Sequence, residues 1–436
     1  MKVLKFGGTS VGSSERIRNL AQLVQSDEPR IIVLSAMAGT TNSLEQIAEL
    51  LYQANKEEAN EKISDLELKY RERIDDLYNS EEFKSKGQEL ITTHFNYIRN
   101  FVFRSFTSLQ EKAILAQGEL ISTAMFHYYL SELKVESIFL PALNFMRIDK
   151  DGEPDYFYIK ENLNRELNQY SDQRLFITQG FICRNTYGEV DNLKRGGSDY
   201  TASIIGSVLQ ATEVQIWTDI DGFHNNDPRF VENTSSLEQL SFEEAAELAY
   251  FGAKIMHPSS IMPCKLKNIP VRLKNTLHPT DEGTLISGNQ AGSGIKAIAA
   301  KDGITAVKVK SGRMLQAYGF LRKLFEVFEI YKTPIDMITT SEVAVSLTID
   351  DDSNLSEIES ELIKFGKVEI DQDQSIICIV GDFISETSGS AKQVLEALEH
   401  IPLRMISYGG SKHNISVLVR QEDKIAALQA LSKHLF

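Results

Sequence analysis

Short apolar runs alternating with glycine- and serine-bearing turns set the pattern of the first part of the chain. Val3-Leu4 leads into Lys5-Phe6-Gly7-Gly8-Thr9-Ser10, which predicts a strand turning into a helix. To residue 54 the order reads strand, glycine turn, helix, strand (31–34), small-residue loop (35–42), helix. That alternation predicts parallel α/β structure with helices on the sheet faces. Residues 55–110 are rich in Glu and Lys, with Ile63, Leu66, Leu68 and Tyr70 among them, and predict a solvated helical hairpin. Residues 111–130 predict one amphipathic helix carrying Gly118-Glu119, and short apolar strands recur at 137–140, 175–178, 214–218 and 271–273. The stretch 276–295, rich in Thr, Gly, Asn and Ser, reads as a linker.

Beyond it the texture changes. Two blocks follow, each reading strand, helix, strand, strand, helix, strand. The first covers 304–369, with a helix near 319–331 and strands at 335–339 and 343–349. The second uses strands at 376–380, 404–407 and 415–419 and a helix near 392–400, and borrows its first strand from 295–300. Thr340-Ser341-Glu342 and Gly409-Gly410-Ser411 fall in equivalent turns, so the tail is an internal repeat. A length of 436 residues implies two or three domains, and 42% hydrophobic with 25% charged residues describes a globular chain. The net charge of −15 argues against nucleic acid as a partner and means that any phosphate site must concentrate its own cations. The 3 cysteines (Cys183, Cys264, Cys378) form no CxxC, which suits a reducing compartment and offers no zinc framework. Met1-Lys2 leads straight into the first strand and no apolar run reaches membrane-spanning length, so the expectation is a cytoplasmic chain without a membrane partner.

Four strings carry candidate chemistry. In Lys5-Phe6-Gly7-Gly8-Thr9-Ser10 the glycines let successive N–H groups converge on phosphate oxygens while Lys5 adds charge. Ser13 stands where a Walker A loop requires lysine, and alone the string reads equally as a tight turn. Lys194-Arg195-Gly196-Gly197-Ser198-Asp199 again sets glycines before a helix start. Arg195 offers a planar fork for a carboxylate, and Asp199 can hold an ammonium group or orient a lysine; Ser198 as a plain helix cap is the alternative. Trp217-Thr218-Asp219 before Gly222, with Asp227-Pro228-Arg229 after it, suits nucleotide contacts at a sheet's carboxyl edge. Phe251-Gly252-Ala253-Lys254-Ile255-Met256-His257-Pro258 follows an Ala/Glu-rich helix; Lys254 can reach a nucleotide phosphate, while His257 fits a capping or core histidine better than a catalyst.

In this order the strings resemble the aspartokinases of the amino acid kinase family, over nearly the whole chain. The resemblance implies an α/β fold: a three-layer parallel-sheet sandwich of the amino acid kinase type in residues 1–290, then two α+β (βαββαβ) ACT-like domains. These would be 304–373 and, for the second, 296–303 with 374–436. It implies transfer of the ATP γ-phosphoryl group to the side-chain carboxylate of L-aspartate, giving 4-phospho-L-aspartate, the first step of lysine (diaminopimelate), threonine and methionine biosynthesis. A carboxylate of pKa ~3.9 is ionised at neutral pH, so the reaction needs no general base. It needs two anions aligned and the charge of a loose phosphoryl transition state covered.

By the same resemblance Lys5, with Gly7, Gly8 and Mg²⁺, neutralises the transferring group, and Thr9 belongs to the ATP site. Asp199 organises Lys5; Arg195 clamps the substrate α-carboxylate and Glu119 its ammonium group. Ser35, Thr41, Gly197 and Ser198 line the substrate pocket, and Thr218, Asp219, His224, Arg229 and Lys254 hold the nucleotide. His224 stands where many relatives carry tyrosine, and Lys194 replaces a glycine. Asp336-Met337-Ile338-Thr339-Thr340-Ser341-Glu342 resembles the effector site of lysine-sensitive members, joined by Met314, Gly319 and Phe320, although Ala317 departs from a serine found in some. An acidic pair, Asp336 and Glu342, suits a cationic amino acid, L-lysine; a polar strand-to-strand turn is the alternative. ACT domains commonly pair across a two-fold axis, implying a homodimer or larger homo-oligomer.

Three other readings stay in view. A kinase for glutamate, acetylglutamate or a nucleotide is disfavoured by the Lys5-Phe6-Gly7-Gly8-Thr9-Ser10 string and Glu119 together with the tandem repeat. A fused homoserine dehydrogenase is not expected in a chain whose repeat runs to Phe436. A catalytically dead amino-acid sensor would be favoured by loss of Lys5, Asp199 or Glu119, and all are present.

Overall fold

A computed structural model describes residues 1–193, 196–252, 255–288, 294–312, 314, 318–382 and 386–436. Contacts divide the chain into two units, Met1–Gly222 with Ile255–Gly288, and Phe223–Lys254 with Asn289–Phe436.

In the first unit β1 (Lys2–Phe6) passes through a 3₁₀ turn, Gly8–Val11, into α1 (Ser14–Leu23), whose N-terminus is capped by the Ser13 hydroxyl. β2 (Arg30–Leu34) leads into α2 (Thr40–Tyr52), followed by the hairpin of α3 (Lys56–Leu77) and α4 (Glu81–Arg99), then α5 (Ser108–Leu115) and α6 (Gln117–Glu132). Next come β3 (Ile138–Phe139), α7 (Tyr156–Asn168), β4 (Leu175–Gln179), the ribbon of β5 (Ile182–Arg184) and β6 (Val190–Asn192), α8 (Gly197–Leu209) and β7 (Glu213–Thr218). β8 (Gln239–Ser241) and α9 (Phe242–Tyr250) belong to the second unit, whereas α10 (Met262–Lys267), β9 (Val271–Asn275) and β10 (Thr284–Ser287) return to the first.

The first unit's strands lie in the order β3-β4-β2-β1-β7-β9-β10. All pair in parallel except β10, which runs antiparallel to β9. Leu4, Phe6, Ile32, Leu34 and Ile177 join one core with α1 to α4 and α6. The alternate positions Val3, Ile31, Val33 and Val214 are also buried, and α8 packs on β1, β2 and β7. With both faces covered the strands read as unbroken apolar runs, and the unit is the three-layer sandwich that the sequence implied.

Two segments differ from the sequence pattern. The helix expected over 111–130 is broken at Ala116, where α5, opened by a Thr107/Gln110 capping box, gives way to α6. α6 is buried nearly all round rather than amphipathic, with Gly118, Glu119, Ser122, Thr123 and Met125 all inside. The 276–295 stretch is no plain linker, because Thr284 and Ile286 alternate inward and make β10.

The second unit holds β11 (Gly294–Lys310), α11 (Phe320–Ile330), β12 (Ile338–Thr340), β13 (Ala344–Ile349), α12 (Leu355–Leu362), β14 (Lys367–Asp382), α13 (Ser390–Ala397), β15 (Met405–Tyr408), β16 (Asn414–Arg420) and α14 (Lys424–Leu435). They form one antiparallel sheet, β12-β13-β11-β14-β16-β15. β11 and β14 serve both repeats: Ile295, Ile298 and Ala300 pair with Gly381, Ile379 and Ile377, and after a register shift Val307 and Val309 pair with Ile370 and Val368. Each repeat keeps its own core, one built on Val307, Leu324, Leu347 and Ile358, the other on Ile377, Val394, Val417 and Leu428. The strand expected at 335–339 is regular only from Ile338, although the Asp336 N–H already donates to Thr348 O at 2.9 Å and Met337 O accepts from the Thr348 N–H at 3.0 Å. Among the described residues no helix is long and apolar enough to cross a membrane.

Candidate active site

The site forms at the carboxyl ends of β1 and β2, where an α/β sheet leaves backbone groups and helix N-termini facing one crevice. Lys5, near the end of β1, places Nζ 2.7 Å from Asp199 Oδ1, and both side chains are almost buried at 12% and 13% exposure. Asp199 stands in the first turn of α8, opposite a cation and at the positive end of the helix dipole. Gly196, the N-cap, has φ +66°, and a Cβ there would fall 1.7 Å from Ser260 Oγ, so only glycine fits. Ser198, one residue into α8, is therefore not the cap, whereas His257 is one: its Nδ1 accepts from the Ser259 N–H at 3.2 Å.

The opposite wall is the 35–41 loop. Its Ser35 N–H donates to Phe6 O at 3.2 Å, Ser122 Oγ donates to Ser35 O at 2.8 Å, and the Ala38 N–H donates to Gly8 O at 3.1 Å. Gly8 comes so close that a Cβ would lie 2.8 Å from Ala36 O. Glu119 enters from α6 and is 4% exposed, its Oε1 accepting from the Ala36 N–H at 3.1 Å. Glu119 Oε2 is buried with no partner among the described residues. Burial pushes this carboxyl up to about 7, against the pull of its backbone hydrogen bonds and of Lys5.

These groups border an open cavity of about 340 Å³ lined by Lys5, Gly8, Ser35, Thr41, Glu119, Gly197 and Ser198 among others. A cation, a carboxylate short of one partner and a glycine-rich helix start thus converge on one space. It can seat a small zwitterion and bring an anion against Lys5. Gly7 caps the 3₁₀ turn, and Thr9 lies in it, with its carbonyl accepting from Arg16 at 2.6 Å. Thr218 and Asp219 follow Trp217, the register partner of Phe6, and the Thr218 hydroxyl donates to Asp219 Oδ1 at 3.2 Å. Arg195 and Lys254 lie outside the described residues. His224 and Arg229 belong to the second unit, where His224 Nδ1 meets Thr234 Oγ1 at 3.2 Å and Arg229 forks onto Asp227 at 2.6 Å.

Sequence reasoning missed several neighbours. Asn42, Met37 and Phe181 line the same cavity. Gly180-Phe181 directly follows the buried strand β4, so the carboxyl-edge rule alone would have flagged it. Tyr70 is buried and shares a 2.8 Å hydrogen bond with Thr40, at the start of α2. Its position in a charge-rich hairpin hid it.

In the second unit the Asp336 side chain is buried: the Tyr250 hydroxyl donates to its Oδ1 at 2.8 Å, and Lys301 Nζ lies 3.0 Å from the same oxygen. Burial raises the Asp336 carboxyl above the usual carboxylate range, against the pull of Lys301 and Tyr250. Thr340, Ser341 and Glu342 are exposed in the following turn, which the Ser341 N–H closes on Ala344 O at 2.8 Å. Gly319 caps α11 with φ +77°, Phe320 meets Phe365 edge-on at 6.0 Å, and Met314 packs on the first repeat's core. Among the described residues no group of three His, Cys, Asp or Glu could hold a metal ion.

Comparisons with known proteins agree on one lineage. The profile of the amino acid kinase family matches residues 1–275, and an ACT domain profile matches 377–435. The lysine-sensitive aspartokinase 3 of Escherichia coli (strain K12) is 34% identical over 461 residues, covering 100% of this chain and 99% of that protein. The chloroplastic aspartokinase 1 of Arabidopsis thaliana is 32% identical, with 100% and 80% covered. Among solved structures, E. coli aspartokinase III in complex with aspartate and ADP (R-state) is similar over 100% of both chains, with a TM-score of 0.85 and 32% identity. The aspartate kinase of Clostridium acetobutylicum gives a TM-score of 0.85 at 25% identity, again over 100% of both chains. The chain belongs to the amino acid kinase family and, within it, to the aspartokinases.

Proposed function

We infer that this chain is an ATP-dependent aspartate kinase, forming 4-phospho-L-aspartate, and that the cavity between Lys5, Glu119 and the start of α8 seats the amino acid. The observation that carries this reading is that Glu119, whose buried Oε2 has no partner among the described residues, lines the same cavity as Lys5, which Asp199 holds. An ammonium group on Glu119 supplies the missing charge and draws the carboxyl back to its ionised form. Arg195 would then take the α-carboxylate, and Ser35 and Thr41 the side chain that reacts. Lys5, held by Asp199, stands ready to cover charge on the phosphoryl group as it passes between two anions. No proton has to be removed, because the attacking carboxylate is already ionised. The nucleotide would enter with Mg²⁺, which would supply positive charge beside its phosphates, and Gly7, Gly8, Thr9, Thr218, Asp219, His224, Arg229 and Lys254 would be its contacts.

The reading extends to regulation. A similar E. coli protein is named lysine-sensitive and has been solved in complex with lysine and aspartate. In this chain the acidic residues Asp336 and Glu342, with Met314, Gly319, Phe320, Thr340 and Ser341, are the proposed lysine contacts. Residues 1–290 would be the catalytic domain, 304–373 the first ACT domain, and 296–303 with 374–436 the second. Homo-oligomerisation through the ACT sheet and a cytoplasmic location belong to the same proposal. Isothermal titration tests it against a pure sensor: binding of both MgATP and aspartate is expected, and binding of lysine alone would refute it.

A further inference from the structure

The segment that carries Arg229 is built into the second repeat. Phe223–Lys254 belongs by its contacts to the second unit. Val231 is buried in the second repeat's core with Leu428 and Leu431 of α14, and Phe230 packs against that core. The Ile298 N–H on β11 donates to Asn225 O at 2.9 Å. Lys424, almost buried at the start of α14, lies 2.6 Å from Asp302 and places Nζ 4.2 Å from the centre of the Phe230 ring. Gln429 Nε2, one turn further along α14, donates to Phe230 O at 3.2 Å. The stretch 225–231 thus takes its shape from α14 and β11.

One side chain links this packing to the arginine. Asn226 is 2% exposed and uses both ends of its amide. Its Nδ2 donates to Leu428 O on α14 at 3.2 Å, and its Oδ1 accepts from the Asp227 N–H at 2.8 Å. Asp227 in turn holds Arg229: its Oδ1 accepts from the Arg229 backbone N–H at 2.9 Å, and the guanidinium donates from Nε at 3.0 Å and from Nη2 at 2.6 Å. This grip fixes the plane of the guanidinium and leaves Nη1, on a side chain 75% exposed, for an anion from outside. Three consecutive links therefore run from a helix carbonyl to the cation. A buried amide meets both partners in one orientation only, so cutting it releases Asp227 from α14.

We propose that Asn226 is a positioning residue for nucleotide binding, carrying the placement of α14 through Asp227 to the guanidinium of Arg229. This rests on the assignment of Arg229 as a nucleotide contact made above.

The test compares Arg229→Ala, Asn226→Ala and the double variant in the full chain, with Val394→Ala as a control that loosens the same core and leaves every hydrogen bond named above in place. Arg229→Ala should raise the KM for ATP about 10-fold or more, the loss of a charged contact. Asn226→Ala should raise it about 3- to 10-fold, with kcat and the KM for aspartate within about twofold of wild type. In the double variant the Asn226 change should add less than about twofold, because the group it positions is gone. Val394→Ala should lower the melting temperature and leave the KM for ATP where it was. A wild-type KM for ATP in Arg229→Ala would overturn the assignment of Arg229 and the proposal with it. A raised KM there beside a wild-type value in Asn226→Ala would overturn the proposal alone. So would a full Asn226 effect surviving in the double variant, or an equal rise in Val394→Ala. If Asn226→Ala fails to fold, Asn226→Ser takes its place: the hydroxyl can still accept from the Asp227 N–H but is too short for Leu428 O, and an unmoved KM for ATP would again overturn the proposal.

Discussion

Replacing Glu119 by Gln removes one charge from the cavity and little else, because the Gln oxygen can still accept from the Ala36 N–H. What is lost is a charge-assisted hydrogen bond to the substrate ammonium in a buried site, worth about 1.5–3 kcal/mol. At 1.4 kcal/mol per decade, the KM for aspartate should rise roughly 10- to 100-fold. Lys5, the group assigned to cover the phosphoryl charge, is untouched, so kcat should stay within about threefold. pH sharpens the test. The free carboxyl titrates at about 7, and only its ionised form attracts an ammonium group. In the wild type kcat/KM for aspartate should therefore fall about tenfold per pH unit below that value, and in Glu119→Gln the slope should vanish. Stability moves the other way. Raised from 4.5 to about 7 by burial, the group weakens the fold progressively as pH rises between those values, by about 3 kcal/mol at full ionisation. Glu119→Gln should thus melt higher than wild type at pH 8, with the gap closing by pH 5. Trapping of acyl phosphate with hydroxylamine at saturating ATP, from pH 6 to 8.5, supplies the rates. An unchanged KM, or a pH slope surviving in Glu119→Gln, would refute the reasoning.

Other substitutions probe the remaining walls. Lys5→Ala should lower kcat by about 10³-fold or more, since it strips the charge cover from the phosphoryl group; circular dichroism should show the fold retained, and near-normal turnover would exclude the role. Tyr70→Phe should loosen Thr40 and with it the 35–41 loop, raising the KM for aspartate about two- to fivefold at a stability loss of about 1 kcal/mol, both readable from kinetics and urea unfolding. Glu342→Ala should relieve inhibition by lysine without changing the basal rate; an unshifted lysine titration would count against the exposed turn as part of the effector site.

The sequence was most legible where local chemistry and fold agree. β1, the glycine turn and α1 are each marked by their own residues, and the second unit's repeat shows in its strand order. Asp199 was open between holding an ammonium and orienting a lysine; its 2.7 Å contact with Lys5 favours the second. What stayed hidden depends on distant packing. Nothing near Ala36 in the sequence announces that its N–H meets a carboxylate from α6, and nothing near Asp336 announces Tyr250. The break at Ala116 was missed because α6 is enclosed on all sides, which removes the periodicity that marks a surface helix.

Acyl phosphate formation from MgATP, trapped with hydroxylamine and run in parallel with aspartate and glutamate, tests the central claim most directly. The account expects product from aspartate and little from glutamate, whose extra methylene carries the reacting carboxylate past Lys5 in a cavity of about 340 Å³. Equal turnover of both, or none with aspartate, would contradict it.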